Sequence, residues 1–339
     1  MNTFARAAAL VLLLVASGCV RESETESGSD AIRMGARPRP AAPGAAGKQL
    51  RIAVIPKGLG HDFWNTVRAG AEKAGQEEGV RVEWNGPEKE TQHDRQIAII
   101  ENYVQSGVDA IVMAATDRKG LVPTVEKAAK RVPVITIDSG VNTDVVKTFI
   151  GTDNEKGAEA AAEELNRLLG GKGEVGVIPF IPNAATSDQR EHGFKKGLAR
   201  FPGLNLVATV YSGSEVAGGI KATENMLTSH PNIAGIFAAN EPAAIGCARA
   251  LETMGKAGQV KLVAFDASPN QIQALQKGTI HALIVQNPFK MGYEGVKQAV
   301  TVLRGETIPR VIDTGVKVVT RENLNDLEVQ QLLYPLGRR

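Results

Sequence analysis

Cysteine is almost missing from this chain: Cys19 and Cys247 are the two present among 339 residues. Such a pair makes neither a disulfide framework nor a zinc ligand set. An excess of one charge is missing too. Lys and Arg number 39 against 37 Asp and Glu, a formal net charge of +2. That balance offers no electrostatic case for nucleic acid. No apolar run approaches the roughly 20 residues that a membrane-spanning helix needs. The motifs G-x-x-x-x-G-K-[ST], H-E-x-x-H and G-x-S-x-G do not occur, which removes the commonest nucleotide, zinc-protease and serine-hydrolase signatures. The loop Gly58-Leu59-Gly60-His61 lacks the third glycine and the ribose-binding acid of a dinucleotide site. No second His or Cys lies at ligand spacing from His61, so neither a metal nor a cofactor is expected. Aromatic residues make up only 4% of the chain, and each one near a loop is correspondingly informative.

What is present begins with a leader. Arg6 precedes a short apolar run over residues 7–15, and Ala16-Ser17-Gly18-Cys19 follows. A basic start, a short apolar segment and small residues form a secretory signal, here residues 1–18. Small residues ahead of a cysteine also resemble a bacterial lipobox, which makes Cys19 a lipidation site. An ordinary signal cleaved near Gly18 and an uncleaved anchor are the alternatives. Residues 20–48 are rich in Glu, Ser, Gly, Pro and Ala and almost without large apolar side chains. Such a segment cannot bury a core, so residues 19–49 are expected to be a disordered tether. The folded part then starts near Leu50.

From there short apolar runs alternate with helical periodicity. Strands are expected at 51–55, 80–84, 108–114 and 132–137, with helices at 63–78, 92–105 and 121–130. This βαβαβαβ order is the pattern of a doubly wound parallel sheet. The pattern then starts again. Strands are expected at 174–178, 206–211, 233–238 and 260–265, and helices at 190–200, 221–229 and 243–254. An irregular loop is expected through Asp188. SGVDAIVMAATD parallels HPNIAGIFAANE, and VPVITIDS parallels VKLVAFDAS. Order and spacing kept over four strands indicate a duplicated architecture: α/β, two parallel-sheet lobes. A further helix at 293–303 and strand at 316–320 are most simply placed if the chain crosses back. One lobe is then 50–152 with 287–313, and the other 153–286 with 314–339. Crossings near Thr152, Gln286 and Asp313 would form a hinge that a ligand closes.

Ligands of open α/β sheets bind beyond the carboxyl ends of the strands. Those tips carry His61, Phe63, Trp64, Asp138 and Ser139 in the first half. In the second they carry Arg190, Asn240 and Asp266, with Gln286 at a crossing. Carboxylate, amide and guanidinium groups suit a rim of hydroxyls, and aromatic rings suit the C–H faces of a sugar. Each has a plainer reading. Asp138 and Asp266 suit helix N-caps, Phe63 and Trp64 a helix core, and Arg190 a solvated helix face. His61 suits a loop, and His192 and His281 the surface. Cys247 reads as a small core residue. Asp138 with Asp266 also reads as a glycosidase pair, but no local acid–base constellation accompanies them.

Taken together, IAVIPKGLGHDFW, GVDAIVMAATD, VPVITIDS, GTDNEKGA, TSDQREHGF, IAGIFAANEPAAIG, VKLVAFDASP and HALIVQNPFKMG resemble the periplasmic sugar-binding proteins of the ribose, galactose and allose type. The resemblance runs from about Arg51 to Thr320. It implies a two-lobed periplasmic binding protein fold of type I with three crossings. It also implies a non-enzymatic receptor that hands a sugar or polyol to the permease of an ABC importer, monomeric and outside the cytoplasm. The ligand residues it implies fall on Phe63, Trp64, Asp138, Arg190, Asn240, Asp266 and Gln286. Three positions depart from ribose-binding members. His61 and Ala114 stand for asparagines, and Ser139 stands for an arginine whose loss removes a charged clamp. The second-lobe half is thus retained and the first-lobe half altered, so ribose itself is not implied. Autoinducer-2 receptors are similar too, which keeps a sensory role feeding a signalling kinase or chemotaxis as the alternative. Repressors that share this fold carry DNA-binding helices where this chain has its leader and tether.

Overall fold

The computed structural model describes residues 48–337. The first half runs β1 (Arg51–Ile55), α1 (Asp62–Glu78), β2 (Arg81–Trp84), α2 (His93–Gln105), β3 (Ala110–Met113), α3 (Val122–Ala129), β4 (Val134–Ile137) and β5 (Phe149–Gly151). The second runs α4 (Asn154–Leu169), β6 (Gly173–Ile178), α5 (Ala185–Leu198), β7 (Leu204–Thr209), α6 (Val216–Ser229), β8 (Ile233–Ala238), α7 (Glu241–Thr253), β9 (Lys261–Phe265), α8 (Pro269–Lys277) and β10 (Ala282–Gln286). The chain ends with α9 (Pro288–Leu303), β11 (Val311–Asp313), β12 (Val316–Val319) and α10 (Leu327–Leu333).

The strands form two six-stranded sheets, in the orders β2-β1-β3-β4-β5-β11 and β7-β6-β8-β9-β10-β12. All pairings are parallel except β12 on β10. The central strands AIVM and VITI are buried at every position, because helices cover both faces of a parallel sheet. In the first sheet Val54, Val112 and Ile137 face one apolar layer, and Ala53, Ile111 and Met113 face the other. The α/β architecture expected from the sequence is therefore present, and so is the repeat. It extends to individual backbone bonds. The N–H of Asp138 donates to Ile150 O at 2.9 Å, and that of Asp266 to Ile284 O at 3.0 Å. Ala114 N–H donates to Ile55 O at 2.9 Å, and Ala239 N–H to Ile178 O at 3.0 Å. Both aspartates take left-handed backbone angles, φ 54° and 75°, which turn the chain away from the strand axis and which Asp tolerates better than most residues.

After β10 the chain returns to the first sheet, where α9 lies on α1. Each helix brings a glycine to the crossing. A Cβ on Gly292 would sit 1.9 Å from Val67 O, and one on Gly70 would sit 2.0 Å from Phe289 O. Two local expectations need correction. Helix α5 begins at Ala185, so the irregular loop ends before Asp188. The Ser187 hydroxyl accepts the N–H groups of Phe180 and Ile181 and folds the loop back onto the helix. His281 is half-buried between β9 and β10, with Nδ1 accepting from Leu262 N–H at 3.3 Å. Burial and the neighbouring Lys261 push its pKa down to about 4. The short strands β5 and β11, three residues each, carry too few positions for a periodicity to appear. Cys19, the leader and most of the tether lie outside the described residues.

Candidate functional site

The strand tips of the two sheets face each other across a narrow cleft. His61, Phe63, Trp64, Asp138, Arg190, Asn240, Asp266 and Gln286 line a single cavity there, with about 20 Å³ of room. Ser139, the remaining expected residue, stands against Asp138, its hydroxyl donating to Asp138 Oδ2 at 3.0 Å.

Neither aspartate caps a helix of its own. Helix α8 is capped by Ser268, whose side chain accepts from Gln271 N–H in a capping box. Asp266 instead accepts from Glu241 N–H at 2.8 Å through Oδ2 and from Gln286 Nε2 at 2.6 Å through Oδ1. Burial pushes its carboxyl above the ordinary range, against the pull of the Arg190 guanidinium. Arg190 is 2% exposed and not on a solvated face. Its guanidinium lies 3.7 Å from the Phe265 ring centre, with Nε donating to Asn154 Oδ1 at 2.8 Å and Nη1 to Ala239 O at 2.7 Å. Burial lowers its pKa from the usual arginine value. Asn240 caps α7 by accepting from Ala243 N–H. The Gln286 Oε1 atom is buried and has no hydrogen-bond partner among the described residues.

The first-lobe side is held by residues that the sequence reading passed over. Lys57, just past the end of β1, is 4% exposed. Its Nζ lies 2.9 Å from Asp138 Oδ2, 3.1 Å from Ser139 Oγ and 3.1 Å from Thr186 Oγ1. An ammonium has three N–H donors, and three acceptors surround this one. A cation therefore does stand beside Asp138 despite Ser139, supplied from another strand. Glu90 forms the other wall. Its Oε1 accepts from the Trp64 indole N–H at 2.9 Å and lies 3.6 Å from His61 Nδ1. Its Oε2 accepts from Ser214 Oγ at 2.8 Å, and Ser214 in turn accepts from Asn240 Nδ2 at 2.9 Å. Burial works against the Glu90 charge, yet Lys57 and His61 outweigh it and hold the carboxyl well below its usual range. Desolvation likewise opposes a charged His61, but the Glu90 carboxylate raises its pKa overall. Trp64 is 1% exposed and belongs to the helix core. Phe63 is only partly buried and meets it edge-on, ring centres 4.9 Å apart.

Glu241 joins the two sides. Its carboxylate accepts from the N–H groups of Asp62 at 3.1 Å and Phe63 at 3.0 Å. His61, at the N-cap of α1, makes no side-chain cap bond. The start of α1 is therefore capped from the other half of the molecule. Burial raises the Glu241 carboxyl to about 7, against those two N–H groups. Lys57 was within reach of strand-tip reasoning, since it follows RIAVIP directly. Glu90 and Ser214 lie in loops with no local signal.

Similarity to known proteins agrees with this arrangement. Residues 52–307 match the periplasmic binding protein domain family. A D-ribose/D-allose-binding protein of Pseudomonas aeruginosa is 33% identical over 283 residues, covering 80% of this chain and 88% of that protein. A ribose import binding protein of Bacillus subtilis is 27% identical over 276 residues, covering 81% and 88%. Among solved structures, a carbohydrate transporter solute-binding protein of Agrobacterium radiobacter in complex with D-arabinose superposes with a TM-score of 0.83 at 35% identity, over 84% of this chain and 99% of that one. An ABC transporter solute-binding protein of Agrobacterium vitis with bound D-fucose gives 0.81 at 35% identity, over 84% and 100%. These relatives bear the names of binding and transport proteins, not of enzymes. By family match, identity and shared architecture, this chain belongs to the periplasmic binding proteins, in the sugar-binding branch of ribose and allose type.

Proposed function

We propose that this chain is the extracytoplasmic substrate-binding receptor of an ABC sugar importer, and that it takes an uncharged monosaccharide or related polyol between its two sheets. The observation that carries the reading is the cleft itself. Asp138 and Asp266 face each other from equivalent tips, with Arg190, Asn240 and the unpartnered Gln286 oxygen beside them. The argument for a neutral ligand is electrostatic. Lys57 is matched by Asp138, His61 by Glu90, and Arg190 by Asp266, while burial favours the neutral form of the fourth carboxyl, Glu241. An added charge would have no buried counterpart, and an unpaired buried charge is costly. Sugar phosphates and uronic acids are disfavoured on that ground.

Residues 50–152 with 287–313, and 153–286 with 314–339, serve as the two bodies of the hinge. A ligand reaches the cleft when they part. The room of about 20 Å³ left by cross-cleft bonds such as Lys57 to Thr186 and Ser214 to Glu90 is too small for a sugar ring, so in the loaded form those bonds give way to bonds to the ligand. The closed form is what the permease distinguishes, and the ligand favours it by differential affinity. Cys19 carries the lipid that holds the receptor at the membrane. Replacing Cys19 with Ser should release the protein from the membrane fraction; retention there would sink the anchor.

A thermal-shift screen tests the ligand reading. Ribose, allose, arabinose and fucose are compared with sugar phosphates and uronates on the full chain. A neutral sugar at 100 times its Kd should stabilise by about 2.7 kcal/mol. Stabilisation by charged ligands alone would overturn it.

A further inference from the structure

A second cavity, about 410 Å³, adjoins the polar cleft. The two share Phe63, Glu241, Asp266 and Gln286 as common walls. Beyond those walls its character changes. Ile272, Val285, Pro288, Leu332 and Leu333 make most of its surface, with Asp62, Asn65, Thr66, Ser268 and Tyr334 as the further polar side chains. The walls come from both halves of the molecule. Asn65 and Thr66 of α1 and Pro288 of α9 stand on one side, with Ile272 of α8 and the end of α10 on the other. The inner cleft has room for about 20 Å³ while the tips are in contact. The outer cavity has its volume of about 410 Å³ in that same arrangement.

We propose that this outer cavity is a second subsite for an apolar substituent on the ligand, so that the receptor takes glycosides with an alkyl or aryl aglycone. The proposal rests on the sugar reading of the inner cleft. The sugar ring occupies the polar tips, and the aglycone passes the Phe63 and Gln286 walls into the outer cavity. An apolar cavity of about 150 Å³ suffices to hold benzene, so the space is ample for one aromatic ring. Because the aglycone contacts both halves, its burial adds to closure and does not oppose it. Apolar area removed from water supplies the affinity, and Ala267, Pro269, Ile272, Val285, Leu332 and Leu333 offer a ring more apolar surface than Ser268 and Tyr334 offer hydrogen bonds.

Titration calorimetry on the full chain tests this. The probes are ribose, allose, arabinose and fucose and both anomers of their phenyl glycosides. At least one phenyl glycoside should bind tenfold or more tightly than its parent sugar. Asn65→Trp, at an exposed α1 position, should fill the cavity and abolish that gain while leaving the parent sugar within twofold. Leu333→Asp should do the same from the opposite wall, with circular dichroism confirming that both variants fold. If every phenyl glycoside binds no better than its parent, the subsite is overturned. A gain that survives both variants overturns its location. If neither sugars nor glycosides bind, and Asp266→Ala changes nothing, the sugar reading falls and the subsite falls with it.

Discussion

Lys57 has no free donor, Glu90 accepts on both oxygens, and Asp266 is held by Glu241 N–H and by Gln286. Of these, the bonds within one half (Lys57 to Asp138 and Ser139, Trp64 to Glu90, Asp266 to Glu241 N–H and Gln286) fix the side chains before a ligand arrives and lower the entropy that binding must remove. Asp266→Ala deletes the carboxylate and frees Gln286. With charge-assisted bonds worth about 1.5–3 kcal/mol each, sugar affinity should fall about 100-fold, with an unchanged far-ultraviolet spectrum. Calorimetric titration equal to the native protein would remove Asp266 from the site. Arg190 differs, because its guanidinium also ties α4, the β8 tip and Phe265 together. Arg190→Ala should therefore lower the melting temperature as well as the affinity. Glu241 supplies a pH dependence. Burial against α1 and Asp266 pushes its carboxyl up from the ordinary 4.5 to about 7, with Asp62 and His61 facing it, and parting of the halves would relieve that burial. The closed form thus holds the proton more tightly. Closure is favoured below 4.5 and loses that contribution as pH rises through about 7. Sugar affinity should decline by about tenfold or more between pH 5 and 8, and Glu241→Gln should make the profile shallower, leaving the part that the raised His61 supplies. An identical slope in the variant would place the titration elsewhere.

At the scale of elements, the close helix pairs depend on small residues. Gly292 of α9 meets Val67 O of α1, and Gly193 of α5 meets Glu155 O of α4, at 1.9 and 2.4 Å from an added Cβ. Gly292→Ala would push α9 off the first sheet. Overpacking of this kind costs about 1–3 kcal/mol, which urea unfolding would detect as a lower midpoint at unchanged slope. No shift would mean that the helices separate freely. The buried strands were readable because burial on both faces leaves an unbroken apolar run, as in AIVM and VITI. The start of α5 was not, because Ser187 stabilises it by accepting from a preceding loop. Nor was the start of α1 fully legible, since its cap comes from Glu241, 178 positions from Phe63 in the chain.

For the molecule as a whole, the contacts between the two halves combine buried bonds with ion pairs at the rim. Arg118 lies 3.0 Å from Asp188, and Lys89 3.2 Å from Glu215. The side chains of the second pair are 58% and 46% exposed, so such pairs are worth about 0.2–1 kcal/mol and are screened by salt. Raising salt from about 0.05 to 0.5 M should weaken sugar affinity by less than about threefold. A tenfold loss would show that the rim, and not the buried bonds, holds the halves together. The sequence by itself determined the duplicated parallel sheets and their aspartate tips, because strand burial and tip chemistry repeat along the chain. It also marked Arg190, Asn240 and Gln286 for the cleft that they line together. Only the tertiary structure decided what surrounds those tips. Lys57 at the end of β1 reaches Asp138 at the end of β4 past the intervening β3, Ser214 reaches Glu90 across the cleft, and Glu241 reaches the start of α1. Each of those contacts joins residues far apart in the chain, and no local pattern encodes the charge that a distant segment will bring.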